Sequence, residues 1–155
     1  LAPGYRTGYI LPGKAYGGRL LELKAMTTFA AVTAVEIAVA EYLKKGLYER
    51  HLLRLNRALS EQVDAMREAI ATYFPAGTKA THPRGGFMLW VELPETAVTG
   101  TTLYHRAAAE GIGISPSMLF GMTDRFERCI RLNCGLVMTD TVLRAVKRLG
   151  QLARE

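Results

Sequence analysis

The chain has 155 residues, 49% hydrophobic and 22% charged, with a formal charge of +6. That composition excludes a disordered tail and supplies enough apolar material for a real core. The basic residues lie scattered among glutamates in amphipathic stretches such as "YERHLLRLNRALSEQ" and "LRAVKRLGQLARE", the pattern of solvated helix faces, so the charge points to no nucleic-acid site in this chain.

The first residues, "LAPGYRTGYILPG", carry no initiator methionine and place Arg6 in a turn with Gly4 and Gly8. The glycines give the backbone freedom to approach a ligand, and "GYILPG" behind them reads as a short buried strand. An opening of this kind reads as the later part of a longer protein. "AYGGRLLELKAMTT" is a helix with a start blurred by Gly17 and Gly18, and "TAVEIAVAEYLKKG" is a second. In the second, Val35, Val39, Tyr42 and Leu43 share a face, Lys44 and Lys45 sit at the negative end of the helix dipole, and Gly46 supplies the stop.

From Leu47 to Phe74 apolar residues recur at three- and four-residue steps: Leu52, Leu55, Leu59, Val63, Met66, Ile70 and Tyr73. One continuous helix there extends about 40 Å. That exceeds one small core, so the helix bridges two structural units, and it ends at Phe74-Pro75-Ala76-Gly77. The grammar then changes to short strands. "TKATHP" is a weak one. "GGFMLWVELP" is strong, with Phe87, Leu89 and Val91 on one face and Met88 and Trp90 on the other, which predicts the centre of a sheet lying between two layers. "TTLYHRAAAEGI" is a helix, "GISPSMLFG" a loop or short strand, "RCIRLNCG" a strand, and Thr139 caps a terminal helix whose Val142, Leu143, Val146 and Leu149 face inward.

Cys129 and Cys134 lie five apart, on opposite faces of a strand, which suits neither a local disulfide nor a metal pair. Two thiols are compatible with a reducing cytoplasm. His51, His82 and His105 share no ligand spacing, so no metal site is expected. The longest apolar run, "FAAVTAVEIAVAEYL", is interrupted by Glu36 and Glu41 and is shorter than the ~20 residues of a membrane span.

Two arginines stand out. Arg131 sits mid-strand in "CIRLNC", sharing with Asn133 the face opposite Ile130, Leu132 and Cys134. A guanidinium there either reaches solvent, pairs with an acid such as Glu127 or Asp140, or binds a carboxylate through its planar fork. Arg6 is either an exposed loop arginine or, with backbone amides freed by its glycine neighbours, part of an anion site for a group such as a phosphate.

The order and spacing of "LAPGYRTGYILPG", "LLELKAMTTFAAVTAVEIAVAEYLKKGLYERHLLRLNRAL", "FPAGTKATHPRGGFMLWVELP" and "RCIRLNCG" resemble the C-terminal part of pyridoxal-phosphate enzymes of fold type I, the aspartate aminotransferase fold. The wording of "YERHLLRLNRAL" and "GGFMLWVELP" is most similar to the aminotransferase-like domain of MocR-type regulators, which join it to a GntR-type winged helix-turn-helix. The resemblance implies an α/β fold with an α+β small domain. Residues 1–46 are then the tail of the cofactor-binding large domain, 47–75 the long interdomain helix, and 76–155 a small domain with a short, mainly antiparallel sheet covered by helices.

It further implies pyridoxal 5'-phosphate as the cofactor of the intact protein. Arg6 is matched to the arginine that pairs with the cofactor phosphate, and Arg131 to the one that holds the α-carboxylate of an amino-acid substrate or effector. The Schiff-base lysine falls two positions before Leu1, and Lys14, Lys24 and Lys79 match no catalytic position, so the resemblance implies a chain without turnover of its own. It also implies a homodimer and DNA contact only through a separate N-terminal domain. "TTFAAVTAVE" is matched to a segment that approaches the partner subunit's site, with Val32 where proline is common and Glu36 where glutamine is. Ser115-Pro116-Ser117 replaces a usual Pro-Gly. The rival reading is part of a working aminotransferase of the aminoadipate or aromatic type.

Overall fold

A computed structural model describes residues 3–121 and 124–155 of the chain. These divide into two compact units, Leu1–Leu53 and Arg54–Glu155.

The first unit begins with a 3₁₀ turn at Pro3–Tyr5, followed by helices α1 (Gly17–Thr27) and α2 (Thr33–Lys44) and the opening turns of α3 (Leu47–Tyr73). α1 stops at Phe29, which takes the left-handed conformation (φ 52°) and returns its N–H to the Lys24 carbonyl at 2.8 Å. That is the C-terminal closure glycine usually supplies. Gly46 does the same work after α2, at φ 64°. The apolar face of α2 is half-covered at Val35, Val39 and Tyr42, while Leu43 is exposed and no residue of α1 or α2 is buried.

The expected buried strand in "GYILPG" does not form. Residues 6–13 are irregular, and Tyr9 and Leu11 are 87% and 86% exposed. A strand is stabilised by pairing its N–H and C=O groups with a neighbour, and among the described residues none pairs with this segment.

α3 is one unbroken helix of 27 residues, and the division between the two units falls inside it. Its second half carries the buried stripe Val63, Met66, Ala69 and Ile70. The rest of the second unit is a four-stranded sheet with two further helices, α4 (Gly100–Ala109) and α5 (Asp140–Leu152). The strands are β1 (Lys79–Ala80), β2 (Met88–Glu92), β3 (Ser115–Pro116) and β4 (Cys129–Asn133), in the order β1-β2-β4-β3 with every pairing antiparallel. Pro116, which lacks a donor, sits on the edge strand where that is tolerated.

Pairing sets Leu89 opposite Leu132 and Val91 opposite Ile130. These four join Ile70 of α3, Leu103 and Ala107 of α4, and Val146, Leu149 and Leu152 of α5 in one core. Thr139 caps α5 by accepting from the Val142 N–H, as its sequence predicts. β2 is central, yet it does not lie between two covered layers. Leu89 and Val91 are fully buried, whereas Met88 is 36% exposed and Trp90 half-buried. All three helices pack in the core on the Leu89 face, and Phe87, expected on that face, lies before the strand and is 39% exposed. The opposite face is left to aromatic side chains and Arg131.

Two glycines make close helix packing possible. A Cβ on Gly100 would lie 2.5 Å from the Cys129 carbonyl oxygen, and one on Gly150 would fall on the Tyr73 carbonyl at the end of α3. Arg154 then donates to the Tyr73 and Phe74 carbonyls at 2.8 and 3.0 Å, satisfying acceptors that a helix end leaves open. No helix among the described residues is long and apolar enough to cross a membrane.

Candidate functional site

Strand alternation places Arg131 on the less covered face of β4, directly across from Trp90 of β2 and from Ser115 of β3. It is half-buried. The ion pairs among the described residues engage Lys44, Arg57, Lys79 and Arg148, so neither Glu127 nor Asp140 neutralises Arg131. Its neighbour is instead the ring of Phe120, with the guanidinium carbon 4.4 Å from the ring centroid. A cation over an aromatic face is attracted by the ring quadrupole and keeps its charge and N–H donors.

Phe120 belongs to a row of such contacts. Trp90 meets the Phe120 ring edge-on at 6.2 Å and the Phe126 ring at 6.3 Å, and Arg125 lies over Phe126 at 5.8 Å. Two turns carry the phenylalanines. One is the 3₁₀ turn Ser117–Phe120, closed by Gly121 at φ 64°; the other is Asp124–Phe126. The buried Ser117 hydroxyl donates to the Phe126 carbonyl at 2.6 Å and ties them together. Arg131 stands out in the sequence by its position in the strand, whereas "GISPSMLFG", expected as a loop or short strand, forms the two-residue β3 and a 3₁₀ turn, and neither Phe120 nor Phe126 is marked by its surroundings. Their only sequence signal is an aromatic residue at the end of each short turn flanking the strand.

Arg6 lies in the first unit, exposed, immediately after the Pro3–Tyr5 turn. It adopts φ 51°, a left-handed conformation that costs a residue with a Cβ about 1–2 kcal/mol. Beyond their own chain neighbours, no atom lies within 4 Å of where side chains on Gly4 or Gly8 would begin. The surroundings are therefore open, and the charge has no ion-pair partner among the described residues. The guanidinium is a donor set that suits a phosphate. Arg6 and Arg131 occupy different units.

Two depressions of the second unit, about 450 and 310 Å³, contain neither arginine. The larger is lined by charges of both signs, among them Lys79, Glu92, Glu95 and Arg128, which suits no single anion. Both cysteines are buried and free. Burial pushes the Cys134 thiol up to about 11 and raises Cys129 as well, so neither is a ready nucleophile. Among the described residues no cluster of His, Cys, Asp and Glu could hold a metal ion.

No family model matches the chain. It is 33% identical over its full length to the uncharacterized HTH-type transcriptional regulator YdcR of Escherichia coli, covering 33% of that protein. Among solved structures, a multiple substrate aminotransferase from Thermococcus profundus matches 99% of this chain and 38% of its own, with 27% identity and a TM-score of 0.87. The α-aminoadipate aminotransferase LysN from Thermus thermophilus, complexed with N-(5'-phosphopyridoxyl)-L-leucine, matches 99% of this chain and 39% of its own, with 26% identity and a TM-score of 0.83. The chain thus spans about a third of the length of the curated relatives it matches. Its homologues are helix-turn-helix regulators and aminotransferases, and its fold is that of the fold-type I aminotransferases.

Proposed function

From a chain homologous to both helix-turn-helix regulators and fold-type I aminotransferases, we propose that these residues are the C-terminal part of the aminotransferase-like effector domain of a GntR/MocR-type transcriptional regulator. Residues 1–46 are the tail of its large domain, 47–75 the interdomain helix and 76–155 the small domain. The intact protein binds pyridoxal phosphate, senses an amino acid or amine as a homodimer in the cytoplasm, and contacts DNA through an N-terminal domain outside this chain.

The observation that carries the reading is the guanidinium of Arg131, half-buried, stacked on Phe120 and without an acidic partner among the described residues. Its N–H fork is available to a carboxylate, and removing such a charge-assisted pair costs about ten- to a hundredfold in affinity. Arg6 holds the cofactor phosphate by the same chemistry. When bound, the cofactor supplies an electron sink next to the amino carbon. The two arginines bind and orient, and neither moves a proton. With the anchoring lysine outside the chain, the chain alone does not turn over substrate.

The test is calorimetric titration of the full-length protein, loaded with pyridoxal phosphate, against each common L-amino acid and the amine that lacks its carboxylate. At least one amino acid is expected to bind, and Arg131→Gln to weaken it at least tenfold while leaving the matched amine unchanged. Equal loss for both members of every pair would overturn the assignment. A second reading, a working aminotransferase, is favoured by the likeness to the T. profundus enzyme. Turnover with a 2-oxo acid, and no winged helix in the parent, would select it over the regulator.

A further inference from the structure

We propose that Phe120 is the positioning residue of the carboxylate site: it holds the Arg131 guanidinium by stacking, so that the fork is oriented without being spent. The proposal rests on the reading of Arg131 as a carboxylate binder.

A mid-strand arginine has four flexible torsions, and something must fix it before it can recognise a planar anion at useful affinity. The usual orienting partner is an acid, which also consumes the charge and the donors. Phe120 avoids this. The guanidinium carbon lies over its ring, 4.4 Å from the centroid, and the ring quadrupole attracts the cation without taking up its N–H donors as an acid would. The ring covers one side of the guanidinium, and the free fork can give a ligand carboxylate two parallel hydrogen bonds.

The ring is itself held. Trp90 packs edge-on against it at 6.2 Å and, in register with Arg131, spans the gap between strand and turn. Gly121 closes the turn behind it at φ 64°, and the Ser117–Phe126 hydrogen bond of 2.6 Å anchors the turn's first residue. Phe120 remains 38% exposed, more than a ring placed only to fill a core.

The experiment compares Phe120→Leu, Phe120→Tyr and Arg131→Gln in the full-length, cofactor-loaded protein, titrated with the tightest-binding L-amino acid of the common set and its decarboxylated amine. F120L is expected to weaken the amino acid about five- to tenfold, leave the amine unchanged, and leave the thermal midpoint near the parent value; F120Y restores the amino-acid affinity. If F120L does not fold, Phe120→Met carries the same comparison. Equal weakening of acid and amine by F120L, or no weakening where R131Q does weaken the acid, overturns the positioning role and leaves the carboxylate reading standing. No weakening by R131Q overturns both.

Discussion

Gly150 of α5 lies against the carbonyl of Tyr73 at the end of α3, so close that a Cβ would clash with both the carbonyl oxygen and its carbon. Gly150→Ala must therefore push α5 away from α3 or tilt its end, with an expected loss of about 1–3 kcal/mol. Gly18, in α1, has no atom within 4 Å of a would-be Cβ, so Gly18→Ala is expected to be neutral or slightly stabilising through helix propensity. Urea midpoints of the two variants check the contrast.

At the cofactor site, Arg6→Ala in the full-length protein is expected to weaken pyridoxal phosphate about ten- to a hundredfold and to leave pyridoxal, which lacks the phosphate, unchanged. Equilibrium dialysis of both compounds reads the difference. Equal loss would assign Arg6 to the fold.

Glu110, just past α4, accepts from Arg148 of α5 at 2.7 and 2.8 Å, and Arg148 also reaches Glu155 at 3.0 Å. The hydrogen bond from Arg148 holds the Glu110 carboxyl below its ordinary value. A folded value depressed in this way gives stability that is present above the unfolded value of about 4.3 and is lost as pH falls through the lower, folded one. Acidification below about pH 4 is therefore expected to lower the thermal midpoint, and Glu110→Gln to flatten part of that slope. The pair is solvent-facing, so the effect is small and largest at low salt.

Cys129 and Cys134 are 4% and 1% exposed, and burial holds both thiols in the protonated form at neutral pH. Alkylation by iodoacetamide is expected to be negligible in the native chain and complete at both positions in denaturant, counted by mass spectrometry.

Features encoded locally were legible in the sequence. Gly46 ends α2 and Thr139 starts α5 because stop and cap chemistry acts within one turn, and strand alternation alone put Arg131 on the face opposite Ile130 and Leu132. What was misread depends on partners distant in sequence. "GYILPG" has strand composition, but composition supplies no neighbouring strand. Met88 and Trp90 are apolar enough for a second layer, yet Trp90 is met by the rings of Phe120 and Phe126 from two turns. Nothing in "SMLF" announces that its last residue lies under a guanidinium more than ten positions away. Nothing in the sequence around Gly100 or Gly150 marks their role, and only the crossing with another backbone shows why no side chain is allowed there.

The absence of any buried residue in α1 and α2 governs how substitutions in this chain would be scored. Polar replacements at Leu21, Met26 or Ile37, which are 70%, 84% and 61% exposed, remove nothing from a core within these 155 residues. A mutational scan of the isolated chain read as thermal stability would rank them neutral, and one read as solubility would rank them as gains. The same scan would penalise Leu89 or Ile130 in either readout. Tolerance measured on the isolated chain would therefore make its first third look permissive.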